Sequence, residues 1–217
     1  MKRILLKLSG EAISGNKGFG FDEATVVGVA KQVKQIVDAG VEVGIVIGGG
    51  NFWRGRTSNT IDRTKADQIG MLATVMNCIY VSEIFRSEGM MTNVLTPFEC
   101  GSFTKLFSKD RANKYFAKGM VVFFAGGTGH PYFSTDTATA LRAIEIDADI
   151  ILEKASHKAI VIGKNGTMLK EIGTKARHDI EKLLAKKVML KLFVKVREDW
   201  RNSSSSIKSL GYNSQDL

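Results

Sequence analysis

Apolar-rich runs of strand length alternate along the first two thirds of the chain with longer stretches in which apolar side chains recur every three or four residues. Residues 4–8, 41–47, 91–95, 120–125 and 149–152 read as strands, and 22–39, 64–88, 110–117 and 135–146 as helices. Within 64–88, Ile69, Leu72, Ala73, Met76, Ile79, Tyr80 and Phe85 fall mostly at helical spacings, which predicts that they form the buried face. Alternation of this kind predicts a parallel sheet covered by helices, with ligands at the carboxyl ends of its strands. After Glu153 the pattern changes. Residues 159–162 form a short apolar run, 163–166 a glycine turn, and 167–184 a basic amphipathic helix interrupted at Gly173. In 188–196 apolar and mixed positions alternate with period two, as in a strand with one buried face. The polar end beyond Asn202 is expected to fray, residues 213–217 as a disordered tail.

Composition narrows the class. A chain of 217 residues, 44% hydrophobic and with two prolines, can bury a core of one large domain or two small ones. No stretch approaches the roughly 18 uninterrupted apolar residues of a membrane span, and the first seven residues are too soon charged for a signal peptide, so a cytoplasmic protein without membrane partners is expected. Cys78 and Cys100 lack CxxC spacing and read as buried free thiols, with no structural metal. Residues 1–153 carry 17 Lys and Arg against 16 Asp and Glu, whereas 154–217 carry 14 against 6. That asymmetry predicts a boundary near residue 153 and a polyanionic partner for the basic part, against the plainer reading of a solvated helical face.

Three glycine-rich segments each follow a strand, so their backbone N–H groups can gather as an anion-binding surface. In the first, Lys7-Leu8-Ser9-Gly10-Glu11, a strand-end lysine can neutralise charge on a transferred phosphoryl group while contributing little to packing. The second is Gly48-Gly49-Gly50-Asn51 with Arg54 beyond it, a guanidinium suited to phosphate oxygens. The third runs from Gly126 through Thr128, Gly129, His130, Pro131, Tyr132, Phe133, Ser134 and Thr135 to Asp136. Asp136 has two readings, a helix-start acid favoured by the macrodipole or the partner that orients Lys7. The GxxxxGK[ST] pattern is absent, as are Ser-His-Asp and zinc spacings, which leaves phosphoryl transfer by positioning and electrostatics.

The ordered motifs KLSGE at 7–11, GIVIGGGN at 44–51, ADQIGMLATVMN at 66–77 and AGGTGHPYFSTDTA at 125–138 resemble those of bacterial-type UMP kinases of the amino-acid-kinase fold. The resemblance implies a region 1–152 that transfers the γ-phosphoryl of ATP, supplied with Mg2+, to UMP in pyrimidine nucleotide biosynthesis. Carried over by position, it puts Lys7, Leu8, Ser9, Gly10, Gly50 and Arg54 against the phosphates, Asp136 on Lys7, and Gly49, Asp67 and residues 128–135 around UMP. Residues Gly15, Asn16, Lys17, Gly18, Phe19 and Gly20 resemble the region where GTP acts as an allosteric activator, and a homo-oligomer, a hexamer in that family, is implied.

From about Glu153 the family's VDGVYxxDP motif and adenine-pocket segment have no counterpart. Residues 153–212 instead resemble the end of the C-terminal KH domain of Era-type GTPases, with Gly163, Lys164, Asn165 and Gly166 as its GxxG loop and Lys170 nearby. That resemblance implies single-stranded RNA, rRNA in that family, held by backbone contacts at the loop and by lysines on phosphates. The fold expected is therefore α/β, a kinase-type sheet lacking its donor part, followed by a partial KH-like α+β module. Three functions stay open at this stage: a UMP kinase, an RNA-binding module, and a non-functional chimera.

Overall fold

The computed structural model describes residues 3–53, 60–152, 174 and 195–196. Its elements follow the expected order: β1 (Arg3–Leu8), α1 (Gly10–Ser14), α2 (Glu23–Asp38), β2 (Glu42–Ile47), α3 (Arg63–Ser87), β3 (Thr92–Thr96), β4 (Lys105–Leu106), α4 (Lys109–Phe116), β5 (Val121–Phe124), α5 (Thr135–Glu145), β6 (Asp149–Leu152) and β7 (Lys195–Val196). All pairings are parallel, in the order β4-β3-β5-β2-β1-β6-β7. The chain moves one way through α2 and α3, then returns across the sheet through α4 and α5. Parallel crossovers keep one hand, so the direction reverses only if the helices change face.

The alternation of the strands records those two faces. Ile4, Leu6, Leu8, Val43, Ile45, Ile47, Val121 and Phe123 pack with α2 and α3, while Leu5, Val46, Val122 and Phe124 pack with α4 and α5. Each helix begins at a side-chain cap: Ser9, Asp22, Asp62, Ser108 and Ser134 accept N–H groups from Ala12, Thr25, Lys65, Arg111 and Thr137.

The expected buried face of α3 is a partial error. Ala73 and Phe85 are buried, but Ile69, Leu72, Met76 and Ile79 are exposed by 40, 52, 47 and 38%. The buried residues of the helix are instead Ala66, Ala73, Thr74, Val75, Asn77, Cys78, Val81, Ser82 and Phe85. The reason is distance: a Cβ on Gly49 would stand 3.0 Å from the Ala73 Cβ and 3.0 Å from the Gly70 carbonyl oxygen. Only small side chains allow the helix so close at this point, so Ile69, Leu72, Met76 and Ile79 face outward while Phe85, further along, is buried. By length and composition α3 also passes for a membrane span, yet its inner face belongs to the core. The short helix α1 stands where the sequence shows a glycine loop, and β4 has no counterpart in the apolar pattern. Cys78 is buried as expected, Cys100 half-buried, both free thiols.

Candidate active site

The Lys7–Asp136 pair follows from strand parity and topology together. Lys7 shares its side of β1 with Leu5, the side covered by α5, and lies where the strand ends. Ser134 caps α5, which leaves Asp136 in the first turn directed at the lysine: Nζ and Oδ1 are 3.1 Å apart, and the residues are only 6 and 7% exposed. Among the described residues no donor in hydrogen-bond geometry reaches Asp136 Oδ1, so the contact is an ionic one. One carboxylate thus stands both in the first turn of a helix and beside a buried lysine. The burial corrects the expectation that Lys7 matters little to folding.

Beside this pair the Gly48–Gly50 turn is held from three directions. Gly48 N–H donates to the Leu8 carbonyl at 2.9 Å. Asn77 donates to the Gly48 carbonyl at 2.7 Å, and Asn51 and Asn77 exchange amide hydrogen bonds of 3.0 and 2.7 Å. Asn51 also donates to the Gly20 carbonyl at 2.8 Å, tying in the segment that precedes α2. Gly10 has no room for a side chain here, since a Cβ would come within 2.4 Å of Asn51 Oδ1 and 2.7 Å of the Gly48 oxygen.

The third glycine segment hangs between α3 and α5. Gly126 N–H donates to Thr74 Oγ1 at 2.8 Å, and Gly126, Gly127 and Gly129 all have positive φ. Further along, Tyr132 N–H donates to Asp67 Oδ2 at 2.8 Å.

These parts surround a cleft of about 490 Å³ at the carboxyl ends of β1, β2 and β5. Of the residues singled out in the sequence, Lys7, Ser9, Gly10, Gly49, Gly50, Asp67, His130, Phe133, Ser134, Thr135 and Asp136 line it. Thr128, Gly129, Pro131 and Tyr132 are not among the lining residues, and Leu8 is a core side chain. Residues 15–20 are not among those that line the cleft; within them Gly20 accepts the Asn51 amide and the two-thirds exposed Phe19 meets the Phe52 ring edge-on. Arg54, Gly163, Lys164, Asn165, Gly166 and Lys170 fall outside the described residues. The lining also includes Trp53, Arg63, Ala66, Gly70, Met71 and Thr74, to which the sequence pattern assigns no site role. Arg63 and Asp67 stand four residues apart on one helix, the spacing of an ion pair, which was the available signal.

Chemically the cleft offers one buried ammonium, backbone donors from two glycine turns, a carboxylate fit for hydroxyl donors, and flat apolar walls from Trp53 and Phe133. Among the described residues no group of His, Cys, Asp and Glu could hold a metal ion.

Two solved structures are similar to the chain. The UMP kinase from Bacillus anthracis is 36% identical, with a TM-score of 0.68 over 70% of this chain and 64% of that one. The UMP kinase from Ureaplasma parvum is 33% identical, with a TM-score of 0.67 over 70% of this chain and 68% of that one. The chain thus spans under two thirds of the B. anthracis protein. A family model of the KH domain matches residues 135–201. That match opens at the first residue of α5, so the helix carrying Asp136 and strand β6 lie within it.

Proposed function

The chain belongs to the UMP kinase family, and we propose on that premise that residues 3–152 bind UMP in the cleft and present its phosphate to the γ-phosphoryl of ATP. The observation that carries the reading is the convergence of the buried Lys7–Asp136 pair, the glycine turns and Asp67 on one cavity. Asp67 accepts hydrogen bonds from the sugar hydroxyls. Phe133 and Trp53 flank the base, and the turns at Gly48–Gly50 and Gly127 direct N–H groups at phosphate oxygens. Lys7, held by Asp136, stabilises charge spread over the transferring oxygens, and the products are ADP and UDP. The magnesium that accompanies ATP arrives with the substrate. GTP at residues 15–20 and a homo-oligomer belong to the same proposal, the latter supported by the exposed apolar stripe of α3.

Donor binding is weak in this reading, because KH-type sequence occupies the place where the family builds its adenine pocket. Isothermal calorimetry should give clear heat with UMP and little with ATP. Turnover at ordinary family rates would refute the weak-donor part, and absence of UMP heat would refute the acceptor part.

A second reading is favoured by the KH match, which includes the GxxG loop and 13 of the 14 Lys and Arg of residues 154–217. Residues 153–212 bind single-stranded RNA, with rRNA as the implied class and the Era-type domain as the implied relative. A salt-dependent gel shift with a single-stranded oligonucleotide should be weakened by replacing Lys164 and Asn165 with aspartates. Loss of neither UMP nor RNA binding supports a working fusion, and failure of both supports a non-functional chimera.

A further inference from the structure

The contacts of Asp67 assign a task to Arg63 that goes beyond binding the acceptor. Arg63 Nε donates to both oxygens of Asp67, at 3.0 Å each. Its guanidinium carbon also lies 5.6 Å from the centroid of the Tyr132 ring, and the Tyr132 N–H is the further donor to Asp67 Oδ2. Tyr132 holds a φ of 69°, a left-handed conformation that a non-glycine residue adopts only when its surroundings impose it. Arg63, Asp67 and Tyr132 thus form a clasp between the first turns of α3 and the far end of the segment whose near end Thr74 anchors at Gly126.

We propose that Arg63 is a positioning residue that aims the Asp67 carboxylate, and so makes the cleft selective for a ribonucleotide over its 2′-deoxy counterpart. The proposal rests on the UMP reading of the cleft. An ionised carboxylate has about four lone-pair sites. Among the described residues Arg63 and Tyr132 use three, two of them on Oδ2, so Oδ1 is the less committed oxygen of a carboxylate that lines the cleft. Discrimination by a single hydroxyl needs a carboxylate that cannot rotate to compensate for a missing donor, and a clasped one is so restricted. Arg63 has a separable second effect. The charged lining residues described are Lys7, Arg63, Glu11, Asp67 and Asp136, and deleting Arg63 makes their net charge more negative against an incoming phosphate.

The two effects separate by substitution and by ligand. Calorimetry of the full chain with UMP and with dUMP should give at least about tenfold weaker UMP binding for Arg63→Ala, the scale of one charge-assisted hydrogen bond, with a smaller loss for dUMP. Arg63→Lys restores the charge but not the forked contact or the stacking. It should return dUMP affinity to near the wild-type value and leave the preference for UMP reduced. In the ligand-free protein, hydrogen exchange at the Tyr132 amide should quicken in Arg63→Ala and in Asp67→Ala. An unchanged UMP-to-dUMP ratio in Arg63→Ala overturns the proposal, as does an unchanged Tyr132 amide. Wild-type protein that binds neither nucleotide, with a Tyr132 amide that still responds to Arg63→Ala, overturns the UMP reading and leaves the clasp standing.

Discussion

Replacing Lys7 by methionine should damage both stability and chemistry, and the two losses can be told apart. Methionine keeps much of the apolar stem and removes a charge that stands 3.1 Å from Asp136 Oδ1. At an effective dielectric of about 20 the lost attraction is roughly 5 kcal/mol gross. Removing one partner of a buried pair costs about 3–5 kcal/mol net, because the other charge stays behind without compensation. Both residues border the cleft, where water can approach, so the lower figure of about 3 kcal/mol applies. At about 2–4 °C per kcal/mol for a chain of this size, the thermal midpoint followed by circular dichroism should fall by about 6–12 °C. Adding Asp136→Asn removes the stranded carboxylate and should recover most of that loss while leaving the phosphoryl group without its ammonium. Turnover of UMP with ATP, followed by ADP release, should drop about 10²-fold or more in the single variant and stay low in the double one. A single variant with an unmoved midpoint would refute the burial argument. Retained turnover would refute the assignment of Lys7 to the phosphates.

Gly10→Ala should lower the urea midpoint by an amount worth about 1–3 kcal/mol, since its Cβ would meet Asn51 Oδ1 at 2.4 Å. Gly28→Ala, within α2 and with nothing within 4 Å, should instead stabilise by about 0.5–1 kcal/mol. Thr74→Val leaves the buried Gly126 N–H without its acceptor and should cost about 1–3 kcal/mol in the same assay, with faster exchange at the Gly126 amide. Burial pushes the Cys78 thiol up to about 12. The folded chain therefore keeps this proton above about pH 8.5, where the unfolded chain releases it, so stability falls as pH rises by up to about 1.4 kcal/mol per unit. Cys78→Ala should flatten that alkaline slope in denaturant titrations, and an unaltered slope would contradict the burial of the thiol.

What the sequence determined by itself was the alternation of elements and the identity of the chemical groups. Runs such as 120–125 are strands in almost any context that buries them, and serine or aspartate ahead of a periodic stretch marks a helix start, so β1, β2, β5, α2, α4 and α5 stand close to where the pattern puts them. The glycine segments and Lys7 were legible for the same local reason. Tertiary structure decided which face of α3 is buried: helical periodicity reports that apolar residues share a face, not which face finds room beside the Gly48–Gly50 turn, and small residues won because the helix approaches closely. It also decided the roles of Asp136 and Arg63. A first-turn acid looks alike whether it meets solvent or a lysine, and only the return of α5 across the sheet to the covered side of β1 brings Asp136 to Lys7, through 128 residues of intervening chain. Arg63 was legible as an ion-pair partner four residues from Asp67, but its reach to Tyr132 depends on a contact between segments far apart in sequence, which no local pattern encodes.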